Sequence, residues 1–203
     1  SSGSIVEIGQ WVLDQACMQA ARWASQGILI RVAVNLSAVQ LRQKDIVDDI
    51  LETLKRHNIP PGRLELEVTE TSFMTNLTDA VEKLHRLNKA GIRIAVDDFG
   101  TGYSSLTYLK QMPVHHLKID KQFIRDLLVN EEDTRITNTI IDLGKSLNLS
   151  VVAEGVETAE QEYYLNQRGC HLAQGYYFSK PLLPEDFEIF TVDFHKKIIE
   201  SDA

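Results

Sequence analysis

Ile92-Arg-Ile-Ala-Val96, running straight into Asp97-Asp-Phe-Gly-Thr-Gly-Tyr-Ser-Ser105, is the stretch on which the fold turns. The first five residues read as a strand, because β-branched and apolar side chains dominate it. That strand ends on a carboxylate and empties into a loop whose two glycines permit positive φ and close approach of a ligand or partner. The same ending recurs along the chain. Strands expected at 31–35, 63–68, 92–96, 115–119, 150–153 and 172–178 finish on or meet Asn35, Glu67, Asp97, Lys118, Glu154 and Gln174. Helical periods fill the gaps, at 5–26, 44–57, 77–90, 106–111, 121–129, 134–147, 158–168 and 184–199.

Regular strand–helix alternation implies a parallel sheet with helices packed on it. The polar endings lie 32, 30, 21, 36 and 20 residues apart, close to the size of successive βα units. In a TIM-like (β/α) barrel all strands point one way, so these six groups gather at one face. A doubly wound open sheet would spread them along an edge. The expected fold is therefore α/β, a single barrel domain over residues 1–203, with six of the eight strands present.

Composition sets outer limits. The chain has 203 residues, 43% of them hydrophobic and 25% charged, which is globular and neither disordered nor low in complexity. Its formal charge of −8 repels phosphates at long range, so DNA, RNA polymers and anionic membranes are poor partners. Phosphate chemistry must then be handled locally, through metal ions. No run of 18 apolar residues offers a membrane span, and no basic stretch followed by an apolar run suggests a signal peptide. Cys17 and Cys170 lie far apart outside any CxxC spacing and read as reduced core thiols, so a cytoplasmic location is expected, although a parent protein could be anchored.

Glu67, Asp97, Asp98 and Glu154, with Asn35 and Lys118, form an all-oxygen donor set plus one cation. Such ligands suit Mg²⁺ or Mn²⁺, and no Cys/His cluster competes for zinc. Adjacent Asp97 and Asp98 can serve two ions, one of them bridging, and two ions suit phosphodiester hydrolysis. Lys118 could hold the attacking water or stabilise charge on phosphoryl oxygens. Each residue alone has a plainer reading: a capped turn, a rim ion pair, a glutamine serving backbone groups. Six in register make the plainer reading of the whole set improbable. Asp98-Phe-Gly is no kinase signature, since His85-Arg-Leu87 is not the His-Arg-Asp motif that would have to precede it.

Asn35-Leu-Ser, Glu67-Val-Thr-Glu70, Asp97-Asp-Phe-Gly-Thr-Gly-Tyr-Ser-Ser, Lys118-Ile-Asp, Ala153-Glu-Gly-Val-Glu-Thr158 and Gln174-Gly-Tyr-Tyr-Phe-Ser-Lys-Pro181 closely resemble, in order and spacing, the EAL-domain family of bacterial cyclic-di-GMP phosphodiesterases. The resemblance implies a TIM-like barrel that hydrolyses cyclic di-GMP to linear pGpG with two Mg²⁺ or Mn²⁺ ions. It implies a homodimer and upstream GGDEF or sensory domains. It makes Asn35, Glu67, Asp97, Asp98 and Glu154 metal ligands, and Lys118, Glu154 and Gln174 catalytic. Asn35, Lys118, Gln174, Tyr176 and Pro181 would contact substrate. Glu70 would anchor the loop bearing Gly100, Thr101, Gly102 and Ser104, with Glu157 supporting the site from behind.

One departure stands out. The name-giving Glu-Ala-Leu strand, with its ligand Glu and a substrate-binding Arg beyond it, is absent before the first helix; Leu64-Glu-Leu-Glu67 belongs to a later strand. The expectation is an N-terminally truncated barrel with exposed sheet edges, weaker metal binding and impaired catalysis. Three readings stay open: a fragment of a working phosphodiesterase, a non-catalytic cyclic-di-GMP receptor, and a dimerisation or interaction module.

Overall fold

The computed structural model describes residues 2–74, 76–101 and 106–201. Its strands are β1 (Val32–Asn35), β2 (Leu64–Thr69), β3 (Arg93–Phe99), β4 (His116–Ile119), β5 (Ser150–Glu154) and β6 (Leu172–Gln174). They form one parallel sheet in unbroken sequence order. A doubly wound sheet reverses its order at a switch point, whereas sequential order is that of a barrel wall. The sheet is a six-stranded half-barrel.

Helix α1 (Ser2–Ser25) precedes β1, and α2 (Ala38–Leu41) and α3 (Ile46–Arg56) lead to β2. Next come α4 (Glu70–Met74) and α5 (Leu77–Lys89) before β3, then α6 (Leu106–Gln111) before β4. Helices α7 (Lys121–Arg125) and α8 (Glu131–Ser146) precede β5, α9 (Ala159–Gln167) precedes β6, and α10 (Pro184–Ser201) follows it. None of these helices, among the described residues, is long and apolar enough to cross a membrane.

Strand alternation separates the two faces of the wall. In β2, Leu64, Leu66 and Val68 turn toward the helices while Glu65, Glu67 and Thr69 turn inward; in β4, Leu117 and Ile119 oppose His116 and Lys118. The helix-facing row meets the apolar stripes of α3 (Ile46, Ile50, Leu54), α5 (Leu84, Leu87) and α8 (Ile140, Ile141), all buried. Each such side chain contributes about 1.5–3 kcal/mol relative to exposure. Caps fix where helices start: Asn130 accepts the N–H groups of Glu132 and Asp133, and Thr158 with Gln161 forms a capping box on α9. Cys17 and Cys170 are free and buried, and burial pushes both thiols up to about 11.

Four expected boundaries are corrected. β3 does not stop at Val96 but continues to Phe99 through a register shift against β4. β6 ends at Gln174 rather than 178, because the N–H groups of Phe178 and Ser179 both turn back onto the Gly175 carbonyl. The expected helix over 121–129 stops at Arg125, and α8 begins three residues earlier than the apolar period suggests, where Asn130 caps it. The short helices α2 and α4 escape the sequence reading because four or five residues carry too little period.

Candidate metal centre

The inward ends of β2, β3, β4 and β5 meet around one ammonium group. Lys118 Nζ lies 2.7 Å from Glu154 Oε1, 2.8 Å from Glu67 Oε1 and 3.2 Å from Asp97 Oδ1. The Lys118 side chain is 7% exposed, so these contacts are little screened by solvent. Burial alone would lower the lysine's pKa, but the hydrogen bonds it donates to Glu154 and Glu67 outweigh it and hold the group protonated. Glu67 moves the other way. Burial lifts its carboxyl above the ordinary value, Lys118 opposes the lift, and Asp97 and Glu154 add to it.

Asp98 completes the cluster by an irregularity. Successive strand residues face opposite sides, so Asp97 and Asp98 should diverge. Instead the register shift falls between Val96 and Phe99, and Asp98 takes a left-handed φ of +53°. Such bulges re-aim side chains. As a result one carboxylate oxygen each from Asp97, Asp98 and Glu154 lies within 4.8 Å of the others. Burial, a hydrogen bond to the Asp120 carboxyl, and the charges of Asp97, Asp120 and Glu154 together push Asp98 up to about 6. Asp120, two residues beyond Lys118, also caps α7 by accepting the Gln122 N–H at 2.7 Å. Asp120 is not among the residues that the sequence marks for the site; its even spacing from Lys118 in Lys118-Ile-Asp120 is the one signal of a shared face.

Five carboxylates (Glu67, Asp97, Asp98, Asp120, Glu154) face one lysine, a formal charge of −4. Two divalent cations would neutralise it. The donors are all oxygen and they converge within a few ångströms, so the residues present fit hard cations such as Mg²⁺ or Mn²⁺.

The loop after β3 is tied down from two sides. Glu70 is buried and accepts the Gly100 N–H at 3.2 Å, and Thr101 bonds the Asp98 carbonyl through both its N–H and its hydroxyl. Gly100 has φ +99°, and a Cβ there would press on Ile140 and Phe123 at 3.0–3.1 Å. Gly102 and Ser104 lie outside the described residues.

Other expected positions sit beside the cluster rather than in it. Asn35 pairs with Glu67 and Gln174 with Glu154 in the strand register, so each shares its neighbour's face. Tyr176 is exposed, and the Lys180 ammonium stands 5.9 Å from its ring centroid. Pro181 and Glu157 are exposed too; the Glu157 N–H is held by Gln161 Oε1. Among the described residues no hydrogen bond or ion pair joins Asn35, Gln174, Tyr176, Pro181 or Glu157 to the carboxylates.

Residues 1–181 match the EAL domain family, and the chain belongs to it. It is 47% identical over 192 residues to the signaling protein YkoW of Bacillus subtilis (strain 168), covering 95% of this chain and 24% of that one. It is 44% identical over 185 residues to the bifunctional diguanylate cyclase/cyclic di-GMP phosphodiesterase MucR of Pseudomonas aeruginosa, covering 91% and 27%. The chain thus spans about a quarter of the length of these curated relatives. A solved c-di-GMP complex of the PaMucR phosphodiesterase superposes with a TM-score of 0.88 at 44% identity, over 91% of this chain and 75% of that one. A manganese and cyclic-di-GMP complex of Klebsiella pneumoniae BlrP1 gives 0.78 at 29% identity, over 88% and 45%.

Proposed function

We propose that this chain is the larger part of a metal-dependent phosphodiesterase domain that hydrolyses cyclic di-GMP to linear pGpG. The observation that carries this reading is the convergence of Asp97, Asp98 and Glu154 within 4.8 Å around a caged Lys118. Asn35, Glu67, Asp97, Asp98 and Glu154, with Asp120 behind Asp98, would hold two Mg²⁺ or Mn²⁺ ions. Bound there, the ions supply Lewis acidity toward a phosphodiester and make water more acidic.

The chain's own groups do the rest. Glu154 accepts the proton that the attacking water gives up. Water's oxygen bonds to phosphorus as one P–O3′ bond breaks, and the leaving 3′ oxygen takes a proton from solvent and ends as a hydroxyl. Lys118 keeps a fixed positive charge beside the phosphoryl oxygens as their negative charge grows. Gln174 and Tyr176, with Asn35 and Pro181, border the substrate, and Glu70 ties the 97–105 loop to the site. Glu157 supports that arrangement from the next layer.

The half-barrel also fits an eight-stranded parent. Two more strands against the free edges of β1 and β6 would supply a further carboxylate and an arginine for the nucleotide's phosphates, and without them turnover is expected to be impaired. GGDEF or sensory domains upstream, a homodimer and a cytoplasmic nucleotide pool belong to the same reading.

The test incubates the 203-residue chain with cyclic di-GMP and Mn²⁺ beside Glu67→Ala, following pGpG by chromatography. Slow product formation that disappears in the variant supports the reading. Nucleotide bound but never cleaved, even after N-terminal strands are restored, replaces it with a receptor.

A further inference from the structure

Beneath the Lys118 cage lies a second polar bridge that the proposed chemistry does not use. His116 Nδ1 sits 2.7 Å from Glu65 Oε2, both residues are buried, and among the described residues neither atom has any other partner; the approach is a close polar pair whose angles fall outside those of a regular hydrogen bond. Its geometry copies the upper bridge two residues back on both strands: 116 for 118 on β4, 65 for 67 on β2. Both bridges skip β3. Neighbouring strands stand about 4.8 Å apart, so a contact from β4 to β2 must span about 10 Å across whatever β3 presents inward.

At that crossing β3 presents Ala95. It pairs with Glu67 on one side and His116 on the other, and it is fully buried. A methyl group leaves the lane open for both side chains. The backbone here needs the help. The register shift between Val96 and Phe99 removes regular β3–β4 pairing beside Lys118, and β4 is only four residues long. Around the lower bridge, Arg93 pairs with Glu65 in register, Arg31 adds charge from the β1 side, and His115 Nδ1 accepts the Ile94 N–H.

We propose that the Glu65–His116 bridge is a positioning device for Lys118: tying β4 to β2 over Ala95, one layer below, it sets where the Lys118 ammonium meets Glu67. Its value to catalysis rests on the phosphodiesterase reading; the positioning itself does not.

The test compares His116→Leu with His116→Asn, whose side-chain amide can stand where Nδ1 stood, and adds Ala95→Val to block the lane. ¹⁵N spectra of the lysine ammonium groups, with Lys118 assigned by Lys118→Met, give a readout that needs no turnover. The expected result is an exchange-protected Lys118 signal in the parent chain and in His116→Asn, broadened or lost in His116→Leu and Ala95→Val. With cyclic di-GMP and Mn²⁺, His116→Leu should lose about ten- to a hundredfold in kcat with little change in KM, the scale of a displaced catalytic group. A normal Lys118 signal in His116→Leu, or equal loss in both His116 variants, overturns the proposal. If cyclic di-GMP is not turned over even with N-terminal strands restored, the functional reading fails while the ammonium signal of this chain still decides the bridge.

Discussion

The backbone N–H of Asp98 donates to Asp97 Oδ1 at 3.0 Å, within the irregular end of β3 where Asp98 takes φ +53°. Two adjacent strand residues thereby aim at one point with Glu154. The arrangement stores unfavourable energy twice over. A left-handed residue costs about 1–2 kcal/mol, and like charges crowd where burial has removed much of the water. This is the local strain expected where structure serves a ligand.

Asp98→Asn should therefore make the metal-free protein more stable while weakening Mn²⁺ binding. Asparagine tolerates the left-handed backbone and carries no charge. Paired melting curves in EDTA and in excess Mn²⁺ check this: the variant melts higher than the parent in EDTA and gains less from the metal. A variant that melts lower in EDTA would contradict it.

The same residue sets a pH dependence. Folding raises the Asp98 carboxyl from 3.8 to about 6, so the folded state binds the proton more tightly than the unfolded chain. The stability this proton contributes is complete below the unfolded value and is lost as pH rises through about 6. The stabilising effect of Asp98→Asn in EDTA should accordingly be largest above pH 6 and shrink on acidification toward 4. Denaturant titrations of both proteins across that range read the difference directly, and a difference independent of pH would oppose the account.

Lys118→Met removes the ammonium from among Glu67, Asp97 and Glu154. Breaking a buried ion pair from one side costs about 3–5 kcal/mol, and a large share of that should appear as a lower denaturant midpoint in EDTA. Divalent metal should restore part of the loss, since cations can take the lysine's place in neutralising the carboxylates. Turnover should not return with the stability.

Glu70→Gln tests the tie between α4 and the loop after β3. Removing the charge from the acceptor of the Gly100 N–H weakens a bond of a class worth about 1.5–3 kcal/mol. The Gly100 amide should exchange with solvent roughly ten times faster or more, while amides in the core of β2 keep their rates. Unchanged exchange at Gly100 would show that Glu70 does not hold this loop.

Much of the architecture was legible because its signal is periodic. Apolar residues in β2 and β4 alternate with inward polar ones, and α3, α5 and α8 carry clear apolar stripes, so strand order followed from counting. What escaped depends on contacts distant in sequence. Nothing in Val96-Asp-Asp-Phe99 announces a register shift, since the left-handed residue is not glycine. β6 stops early because Gly175 fits only without a side chain: its Cβ would fall 2.0 Å from the Val156 carbonyl oxygen. Within the site, the carboxylates at strand ends could be named from the sequence. The approach of Asp120 to Asp98, and the burial of Glu65 with His116, could not, because each depends on how neighbouring strands are staggered.

The central proposal is that these carboxylates, Asp97 among them, would hold a pair of divalent ions. Electron paramagnetic resonance of the Mn²⁺-loaded chain tests it most directly. The account predicts a spin-coupled pair with ions about 3.5–4 Å apart, lost in Asp97→Asn, while a single uncoupled ion or a spectrum unchanged in that variant would contradict it.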